Sequence, residues 1–333
     1  MRVVVTGATG NVGTSLLEAL AAEEQVDQVV GVARRTPSWH PPKTRLVAAD
    51  IRHDDLAPHL RGADALVHLA WAFQPTHQPL STWATNVLGS IRTFESAAGA
   101  GVRTIVYASS VGAYSPGPGR TVDETWPTHS VPTAPYGREK AYLERYLDAF
   151  ELEHPDIRLV RMRPSFSFKR QSASEQRRIF AGSLLPVALL LRGRLPVVPI
   201  PVGLRFQALH TTDAAEAYRA ALIGDVRGAL NVAADPVVDA SVLGELLGAR
   251  PVAVPAAAAR LALGAAWRLR LVPSDDALLD LALKLPTLAT SRARSELGWS
   301  PQHTSVETLR EFLDGLRDGA GMDTPPLAPR ERR

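Results

Sequence analysis

The sequence predicts an α/β protein in which helices cover both faces of a doubly wound parallel sheet. The chain has 333 residues and is 45% hydrophobic, which is enough for one large domain with an added lobe. Short apolar runs rich in Val, Ile and Leu alternate with segments of helical periodicity. Strands that are apolar throughout indicate a parallel sheet that is buried on both faces.

The alternation of strands and helices begins at the first residues and continues to about residue 232. A short β-branched strand, Val3 to Val5, is followed by a glycine-containing turn and an apolar helix. Further strands are predicted over 29–33, 45–49, 65–69, 104–109, 157–162 and 229–232. Helices are predicted over 14–22, 80–99, 136–153 and 210–223.

The first turn contains the pattern Gly7, Gly10, Gly13 between the first strand and the first helix. Glycines allow the backbone to turn sharply and to approach a phosphate without a Cβ in the way. The helix that begins near Asn11 directs unpaired N–H groups and its positive end at an anion. The pattern therefore predicts a Rossmann-type fold that binds a dinucleotide through its pyrophosphate.

The composition changes after about Pro164, where proline-rich connections and alanine-rich helices appear. We expect residues 1–164 and about 207–234 to form the dinucleotide-binding domain. Residues 165–206 and 235–315 would form a smaller C-terminal substrate lobe. The segment 318–333, which is rich in Gly, Pro and Arg, is expected to be a flexible tail.

The end of the second strand indicates which dinucleotide is bound. An acidic residue about 20 residues after the glycines commonly binds the adenine ribose 2′-hydroxyl. This chain has Ala33 at that distance, followed by Arg34 and Arg35. Two cations and no carboxylate favour a 2′-phosphate, so NADP is the preferred cofactor and NAD is the alternative. Two solvated arginines at a strand end would look the same in the sequence.

Tyr136 and Lys140 are four residues apart on a predicted helix that begins near Pro135, so their side chains share one face. A nearby ammonium lowers the pKa of a phenol, which allows the tyrosine to act as general acid or base at a carbonyl or alcohol oxygen. Ser110 follows the strand 104–109 and could orient the same oxygen, although a serine that caps the next turn is the alternative. The Tyr–Lys spacing alone occurs by chance in many chains, so the assignment depends on the other motifs that accompany it.

Several motifs occur in the order found in one family. The chain resembles the extended short-chain dehydrogenase/reductases, which are also described as NAD-dependent epimerase/dehydratase-like proteins. The motifs that produce this resemblance are the glycine turn, His68-Leu-Ala70, Asn86-Val-Leu-Gly89, Ser110, Tyr136 with Lys140, Arg163-Pro164, His210-Thr-Thr-Asp213 and Leu297-Gly-Trp-Ser-Pro301.

The resemblance implies a catalytic triad of Ser110, Tyr136 and Lys140, with Lys140 also binding the nicotinamide ribose. It further implies that Asp50 bonds the adenine amino group, although an ordinary turn aspartate is the alternative. The cofactor contacts expected from the motif and the resemblance are Gly7, Thr9, Gly10, Asn11, Val12, Gly13, Arg34, Arg35, Asp50, Ile51, Leu69, Ala70, Trp71, Asn86, Ser109, Tyr136, Lys140 and Pro164.

Positions where this chain differs from the family pattern limit the reactions and substrates that we expect. Related dehydratases have an Asp-Glu pair directly after the catalytic hydroxyl, whereas this chain has Val111 and Gly112, which disfavours elimination. Trp71 and Phe73 follow a position where small residues are common, and they either shape an apolar pocket or pack in the core. Substrate contacts are expected from Trp71, Phe73, Ser110, Val111, Tyr136 and Phe166.

Charged residues on two segments have open roles. Lys169, Arg170, Arg177 and Arg178 could bind an anionic group of the substrate, but a solvated helix face is the preferred interpretation. Members of the resembled family often dimerise through the helix of Tyr136 and the one before it, so the sequence leaves a homodimer open. The outer face of that helix, with Arg138, Glu139, Arg145 and Tyr146, neither supports nor excludes such a dimer.

The composition argues against secreted, membrane-spanning, nucleic-acid-binding and metal-binding classes of protein. There are no cysteines, which fits a cytoplasmic protein without disulfides, and the sequence suggests no signal peptide. The apolar stretches 184–191 and 252–272 are too short, or too interrupted by arginines, to span a bilayer. A net charge of +3 with scattered basic residues disfavours nucleic acid as a partner, and no metal-ligand spacing is present.

Three functions are compatible with these residues. The leading prediction is an NAD(P)-dependent oxidoreductase that transfers a hydride between the nicotinamide and a carbonyl or secondary alcohol, with Tyr136 as general acid/base. The alternative is a sugar-nucleotide epimerase with tightly bound NAD. A catalytically silent dinucleotide-binding protein is disfavoured because Ser110, Tyr136 and Lys140 are all present.

Overall fold

A computed structural model describes residues 1–74, 76–182 and 196–329. The strands in these residues are β1 (Arg2–Thr6), β2 (Gln28–Ala33), β3 (Thr44–Ala48), β4 (Ala65–His68), β5 (Thr104–Ala108), β6 (Thr121–Val122), β7 (Arg158–Pro164), β8 (Phe166–Phe168), β9 (Val197–Pro201), β10 (Ala208–His210), β11 (Gly228–Val232), β12 (Arg250–Val254) and β13 (Thr287–Leu288). The apolar stretch predicted at 184–191 lies outside the described residues.

The helices in the same residues are α1 (Asn11–Ala22), α2 (Ala57–Leu60), α3 (Pro79–Trp83), α4 (Gly89–Gly99), α5 (Pro135–Glu153), α6 (Ala173–Gln176), α7 (Thr211–Ile223), α8 (Ala240–Leu247), α9 (Ala256–Arg268), α10 (Asp276–Lys284), α11 (Ser291–Leu297) and α12 (Ser305–Asp318). Wider π-type turns at Ala84–Leu88 and Arg177–Ala181 continue α3 and α6, and short 3₁₀ turns occur at Val111–Ala113 and Arg170–Ser172.

The central sheet confirms the predicted fold class. Its strand order is β11-β7-β5-β4-β1-β2-β3, and every neighbouring pair is parallel. The order reverses direction between β1 and β4, so a crevice is expected outside the carboxyl ends of these two strands. The predicted strands and helices of this sheet match the observed ones to within a few residues.

Apolar strands support layers of helices on both faces. Val3 and Val5 pack with Leu16, Leu17 and Leu20 of α1, in a core cluster that also contains the buried residues of α7. Val4 points to the opposite face, where Phe94 of α4 and Leu143 and Leu147 of α5 form the second cluster. Alternate residues of one strand therefore serve two cores, which is why β1 is apolar throughout.

Within the described ranges, three two-stranded units lie outside the central sheet. β8 pairs with β10, β9 with β12 and β6 with β13, each in parallel. We propose that β9, β12 and helices α8 to α10 belong to the substrate lobe. The part of the chain that the structure describes contains no helix long and apolar enough to cross a membrane.

The expectation of a flexible tail from residue 318 is wrong for residues up to 329. Leu327 is fully buried, and the Met322 N–H donates to the Leu327 carbonyl at 2.9 Å. Arg178 Nη1 donates to the Ala328 carbonyl at 2.8 Å. Proline and glycine here form a folded turn against the π-type turn at Arg177–Ala181, and composition alone does not distinguish such a turn from a disordered tail.

Candidate active site

The glycine turn lies at the carboxyl ends of β1 and β4, where the strand order reverses. Gly7 has φ +71°, and a Cβ there would lie 2.7 Å from the Ala70 nitrogen. A Cβ on Gly13 would lie 2.3 Å from the Gly7 carbonyl oxygen. The turn is therefore held close to α1 and to the end of β4, beside Leu69. No side chain caps the N-terminus of α1 at Gly10, so the first backbone N–H groups of this helix fit the pyrophosphate of a dinucleotide.

Asn11, at the start of α1, was expected to contact the cofactor, but its side chain has other partners. Asn11 Nδ2 donates to the Ser167 carbonyl at 3.0 Å, and Asn11 Oδ1 accepts from the Thr211 hydroxyl at 3.1 Å. The side chain thus ties α1 to β8 and α7. Only the backbone N–H of Asn11 remains for a phosphate. Thr9 is buried in the turn and Val12 packs against the core.

The adenine end of the expected site is formed by the loops after β2 and β3. Arg34 and Arg35 are both exposed directly after β2. Asp50 is half-buried, and its Oδ1 accepts from the Arg52 N–H at 2.9 Å, as in an ordinary turn. Ile51 is buried against Gly89, where a Cβ would lie 3.0 Å from its Cγ1. The structure therefore places these four residues in neighbouring loops and leaves the arginines free to bind a phosphate.

Ser110 and Tyr136 meet beyond the end of β5. Ser110 begins a 3₁₀ turn, and its Oγ accepts from the Gly112 N–H at 2.9 Å. The Tyr136 ring packs on Gly112 so closely that a Cβ there would lie 2.7 Å from Tyr136 Cε1. The position after Val111 therefore has space only for glycine. This steric limit also explains why no acidic side chain can occupy position 112 while Tyr136 keeps this position.

The pKa of Tyr136 differs from the sequence-based expectation. Burial raises it to about 12, and the neighbouring Ser110 hydroxyl acts in the opposite direction. The expected lowering of this pKa by Lys140 is not found: burial is the largest cause of the shift, and Lys140 Nζ contacts the Ala108 carbonyl and the Trp71 ring instead. Tyr136 is accordingly a protonated phenol in this arrangement.

Lys140 is buried beneath the loop that follows β4. Its Nζ donates to the Ala108 carbonyl at 2.6 Å and lies 3.4 Å from the centroid of the Trp71 ring. Burial lowers the pKa of Lys140 well below its usual range. The lysine therefore has a fixed position at the end of β5, and the indole of Trp71 covers it.

Two aromatic side chains from the loop after β4 surround Tyr136. The Phe73 ring stacks on Tyr136 with centroids 5.1 Å apart, and the Trp71 ring meets it edge-on at 5.7 Å. A cleft opens beside these rings, and its lining includes Glu139 and Leu278. The structure thus brings both predicted aromatic residues to the candidate catalytic tyrosine.

Glu139 is the main residue of this region that the sequence assigned wrongly. We expected it on the outer face of its helix, but it is 3% exposed. Its carboxylate accepts from Thr82 Oγ1 and from Asn86 Nδ2, both at 2.7 Å. Asn86 also exchanges two hydrogen bonds with the backbone of Ala72, at 2.7 and 2.8 Å. Asn86 and Glu139 therefore hold the loop of Trp71 and Phe73, and Glu139 also lines the cleft beside Tyr136.

Ser109 was expected to contact the cofactor, but its hydroxyl belongs to a buried ionic network. Ser109 Oγ donates to Glu144 Oε1 at 2.5 Å, and Arg163 binds both oxygens of Glu144 at 3.0 and 2.8 Å. Burial alone would raise the pKa of Glu144, but the hydrogen bonds and charge of Arg163 outweigh it and lower the pKa. This network fixes the end of β5 against β7 and so supports Ser110.

A second, smaller pocket lies beside Val111, the residue after Ser110. Its lining includes Val111, Ser165, Phe166 and Arg205. Ser165 Oγ is buried and has no hydrogen-bond partner among the described residues. Pro164, at the end of β7, directly precedes this pocket. Sequence reasoning missed Arg205 because its loop is distant from the other site residues along the chain.

Within the basic segment after β8, Lys169 departs from the expected solvated face, whereas Arg178 is exposed and the Arg170 side chain is 40% exposed. Lys169 is 5% exposed, and its Nζ donates to the hydroxyls of Thr14 and Ser15 in α1. Arg170 pairs with Asp318 at 2.5 Å, and Arg178 binds the C-terminal segment. The expectation for Lys169 fails because the fold places β8 directly under α1.

The fold and the site define a class of protein: a dinucleotide-binding α/β enzyme with a Ser–Tyr–Lys arrangement of the short-chain dehydrogenase/reductase type. The family model described as "NAD dependent epimerase/dehydratase family" matches residues 3–233. The chain belongs to this family, and it is an enzyme that uses a nicotinamide cofactor.

Three proteins similar to this chain have sequence identities below 30%. An uncharacterized protein of Mycobacterium tuberculosis (strain ATCC 25618 / H37Rv) is 26% identical over 94% of this chain and 83% of its own length. A UDP-glucose 4-epimerase of Yersinia pestis is 28% identical over 49% of this chain and 52% of its own length. The solved structure "MoeE5 in complex with UDP-glucose and NAD" has a TM-score of 0.70 at 22% identity, covering 96% of this chain and 99% of that one, which shows the shared fold.

Proposed function

We propose that this enzyme catalyses hydride transfer at a secondary alcohol or carbonyl carbon, with Tyr136 as the general acid/base. The observation that carries the proposal is the position of Tyr136, packed on Gly112 beside Ser110 and Lys140 at the crevice formed by the glycine turn. A bound nicotinamide would accept or supply the hydride. The chain's own residues supply orientation and the proton.

The three side chains have separable roles. Tyr136 gives its proton to, or takes one from, the substrate oxygen. Ser110 orients that oxygen, since its Oγ is fixed by the Gly112 N–H. Lys140 would exchange its contact with Trp71 for the nicotinamide ribose hydroxyls, and its charge would then favour the phenolate of Tyr136.

We propose NAD as the cofactor. MoeE5, whose fold is shared over almost the whole chain, is in complex with NAD. Several other structures of similar fold are also complexes with NAD. The exposed pair Arg34 and Arg35 is the feature that favours NADP, and a titration that compares the two cofactors distinguishes them.

A nucleotide sugar is the substrate class that fits best. The pocket beside Val111 combines the Arg205 side chain, which suits a diphosphate, with Phe166, which suits a flat ring. UDP-glucose is bound by MoeE5, and the Yersinia pestis relative is a UDP-glucose 4-epimerase. These observations also favour the second candidate, an epimerase that oxidises and then reduces the same sugar and regenerates its cofactor.

The test is a panel of UDP-glucose, UDP-glucuronic acid and UDP-N-acetylglucosamine with NAD. Absorbance at 340 nm and product analysis are followed together. Product with accumulated NADH indicates a net dehydrogenase, and product without NADH indicates an epimerase. Tyr136→Phe should abolish either activity, because phenylalanine has no hydroxyl group to exchange a proton with the substrate oxygen. The variant should still bind NADH.

Tyr142→Phe is the matched control, since Tyr142 lies on the same helix and is 46% exposed. It should retain wild-type turnover. If Tyr136→Phe keeps a substantial fraction of wild-type activity, Tyr136 is not the proton-transfer group and this proposal is wrong.

A further inference from the structure

Lys169 is a buried cation placed directly under the helix that faces the dinucleotide. It follows β8, is 5% exposed, and its Nζ lies 2.7 Å from Thr14 Oγ1 and 2.9 Å from Ser15 Oγ. Thr14 Oγ1 itself donates to the carbonyl of Gly10, the residue that precedes α1. Lys169 is therefore connected to the glycine turn through one hydroxyl group.

The surroundings of Lys169 do not neutralise it directly. No carboxylate of the described residues lies within ion-pair distance of its Nζ. The charged groups that face it are Glu18 of α1, Glu175 of α6 and Glu311 of α12. Glu311 is itself shared with His210 at 3.2 Å. The positive end of α1 further disfavours a cation here.

The hydrogen bonds of Lys169 allow both of its charge states. Because the Thr14 hydroxyl donates to Gly10, it can only accept from Lys169. Two N–H groups are enough for the two hydroxyl acceptors, and a neutral amine has two. The local electrostatic field, and not the hydrogen bonding, therefore decides whether the third proton is present.

We propose that Lys169 is a positioning residue whose positive charge strengthens binding of the dinucleotide's diphosphate and is stabilised by it in return. The inference rests on the cofactor part of the proposed function. A diphosphate at the N-terminus of α1 supplies the negative charge that the buried lysine otherwise lacks. The lysine acts through Thr14 and α1, and no contact with the cofactor is required.

The coupling has a definite sign with pH. Burial lowers the pKa of Lys169 to about 8, and a bound dianion raises it, so binding above pH 8 takes up a proton. Affinity for the diphosphate is greatest below pH 8 and weakens as the pH rises further. Burial raises the pKa of Glu175 to about 7, and its ionisation weakens anion binding in the same direction.

The test uses ADP, which contains the diphosphate but lacks the nicotinamide ribose that Lys140 would bind. Isothermal titration of the full chain at pH 7 and at pH 9.5 should show roughly tenfold weaker ADP binding at the higher pH. Lys169→Met should bind ADP about tenfold more weakly at pH 7, with less than a threefold further change at pH 9.5. Lys43→Met removes an exposed lysine and should behave as wild type.

Each outcome has one meaning. Equal ADP affinity of Lys169→Met and wild type at both pH values overturns the inference. If Lys169→Met does not fold, wild type is titrated at pH 8.5 in two buffers of different ionisation enthalpy, and an absence of proton uptake overturns it equally. Failure of wild type to bind ADP at any pH instead refutes the dinucleotide site itself.

Discussion

Alanine at position 13 should destabilise the protein, although alanine is normally the better residue in a helix. Gly13 lies in the first turn of α1, where replacing glycine by alanine would ordinarily stabilise by about 1 kcal/mol. Here the added Cβ would lie 2.3 Å from the Gly7 carbonyl oxygen and 2.7 Å from the carbonyl carbon of Ala8. These atoms belong to the backbone, so no side chain can rotate to make room.

The expected magnitude follows from this crowding. Overpacking of a rigid interior costs about 1–3 kcal/mol, and this cost exceeds the gain in helix propensity. Gly10→Ala is the matched control, because the nearest atom to a Cβ at Gly10 is 3.4 Å away and its φ of −82° suits alanine. Gly10→Ala should cost less than about 1 kcal/mol, as a change at a helix N-cap does.

The assay is equilibrium unfolding in urea. The loss of unfolding free energy in Gly13→Ala is compared with the loss in Gly10→Ala. Displacement of the turn in Gly13→Ala should also weaken NADH binding by roughly tenfold or more, because backbone N–H groups that bind a phosphate are misplaced. If Gly13→Ala unfolds at the same urea concentration as Gly10→Ala, the close approach of α1 to the turn is not what holds this site together.

Two further predictions concern the cofactor and the buried ionic network. Fluorescence titration should show NADH binding more tightly than NADPH; a preference for NADPH of tenfold or more, which is about 1.4 kcal/mol, would show that Arg34 and Arg35 bind a 2′-phosphate. Glu144→Ala should cost about 3–5 kcal/mol in unfolding free energy because it leaves Arg163 buried without its partner. Glu151→Ala removes a partly exposed partner of Arg161 and should cost at most about 1 kcal/mol; equal losses in the two variants would contradict this account of the network.

Local patterns in the sequence were sufficient to predict the sheet and the glycine turn. An apolar run such as Val3 to Val5 becomes a buried strand in almost any parallel sheet, and Gly7 is required where φ is positive. Tyr136 and Lys140 could be placed on one helix face because their spacing matches the helical period. These inferences need only neighbours along the chain.

Contacts between distant segments decided the remaining features. Helical periodicity placed Glu139 on the outer face of α5, but Thr82 and Asn86 from another part of the chain cover it. Lys169 belongs to a basic segment that reads as solvated, yet the crossing of β8 under α1 buries it. The residues that bury Glu139 and Lys169 are distant along the chain, so the local sequence pattern does not reveal them.

The contrast between local sequence patterns and contacts of distant segments also applies to the candidate active site. The sequence by itself determined the fold class, the dinucleotide-binding turn and the residues of the Ser–Tyr–Lys arrangement, because each depends on short-range spacing. Only the tertiary structure showed that Trp71 covers Lys140, that burial raises the pKa of Tyr136, and that Arg205 lines the pocket beside Val111. Burial and charge depend on every segment packed around a group, and that packing exists only once the chain has folded.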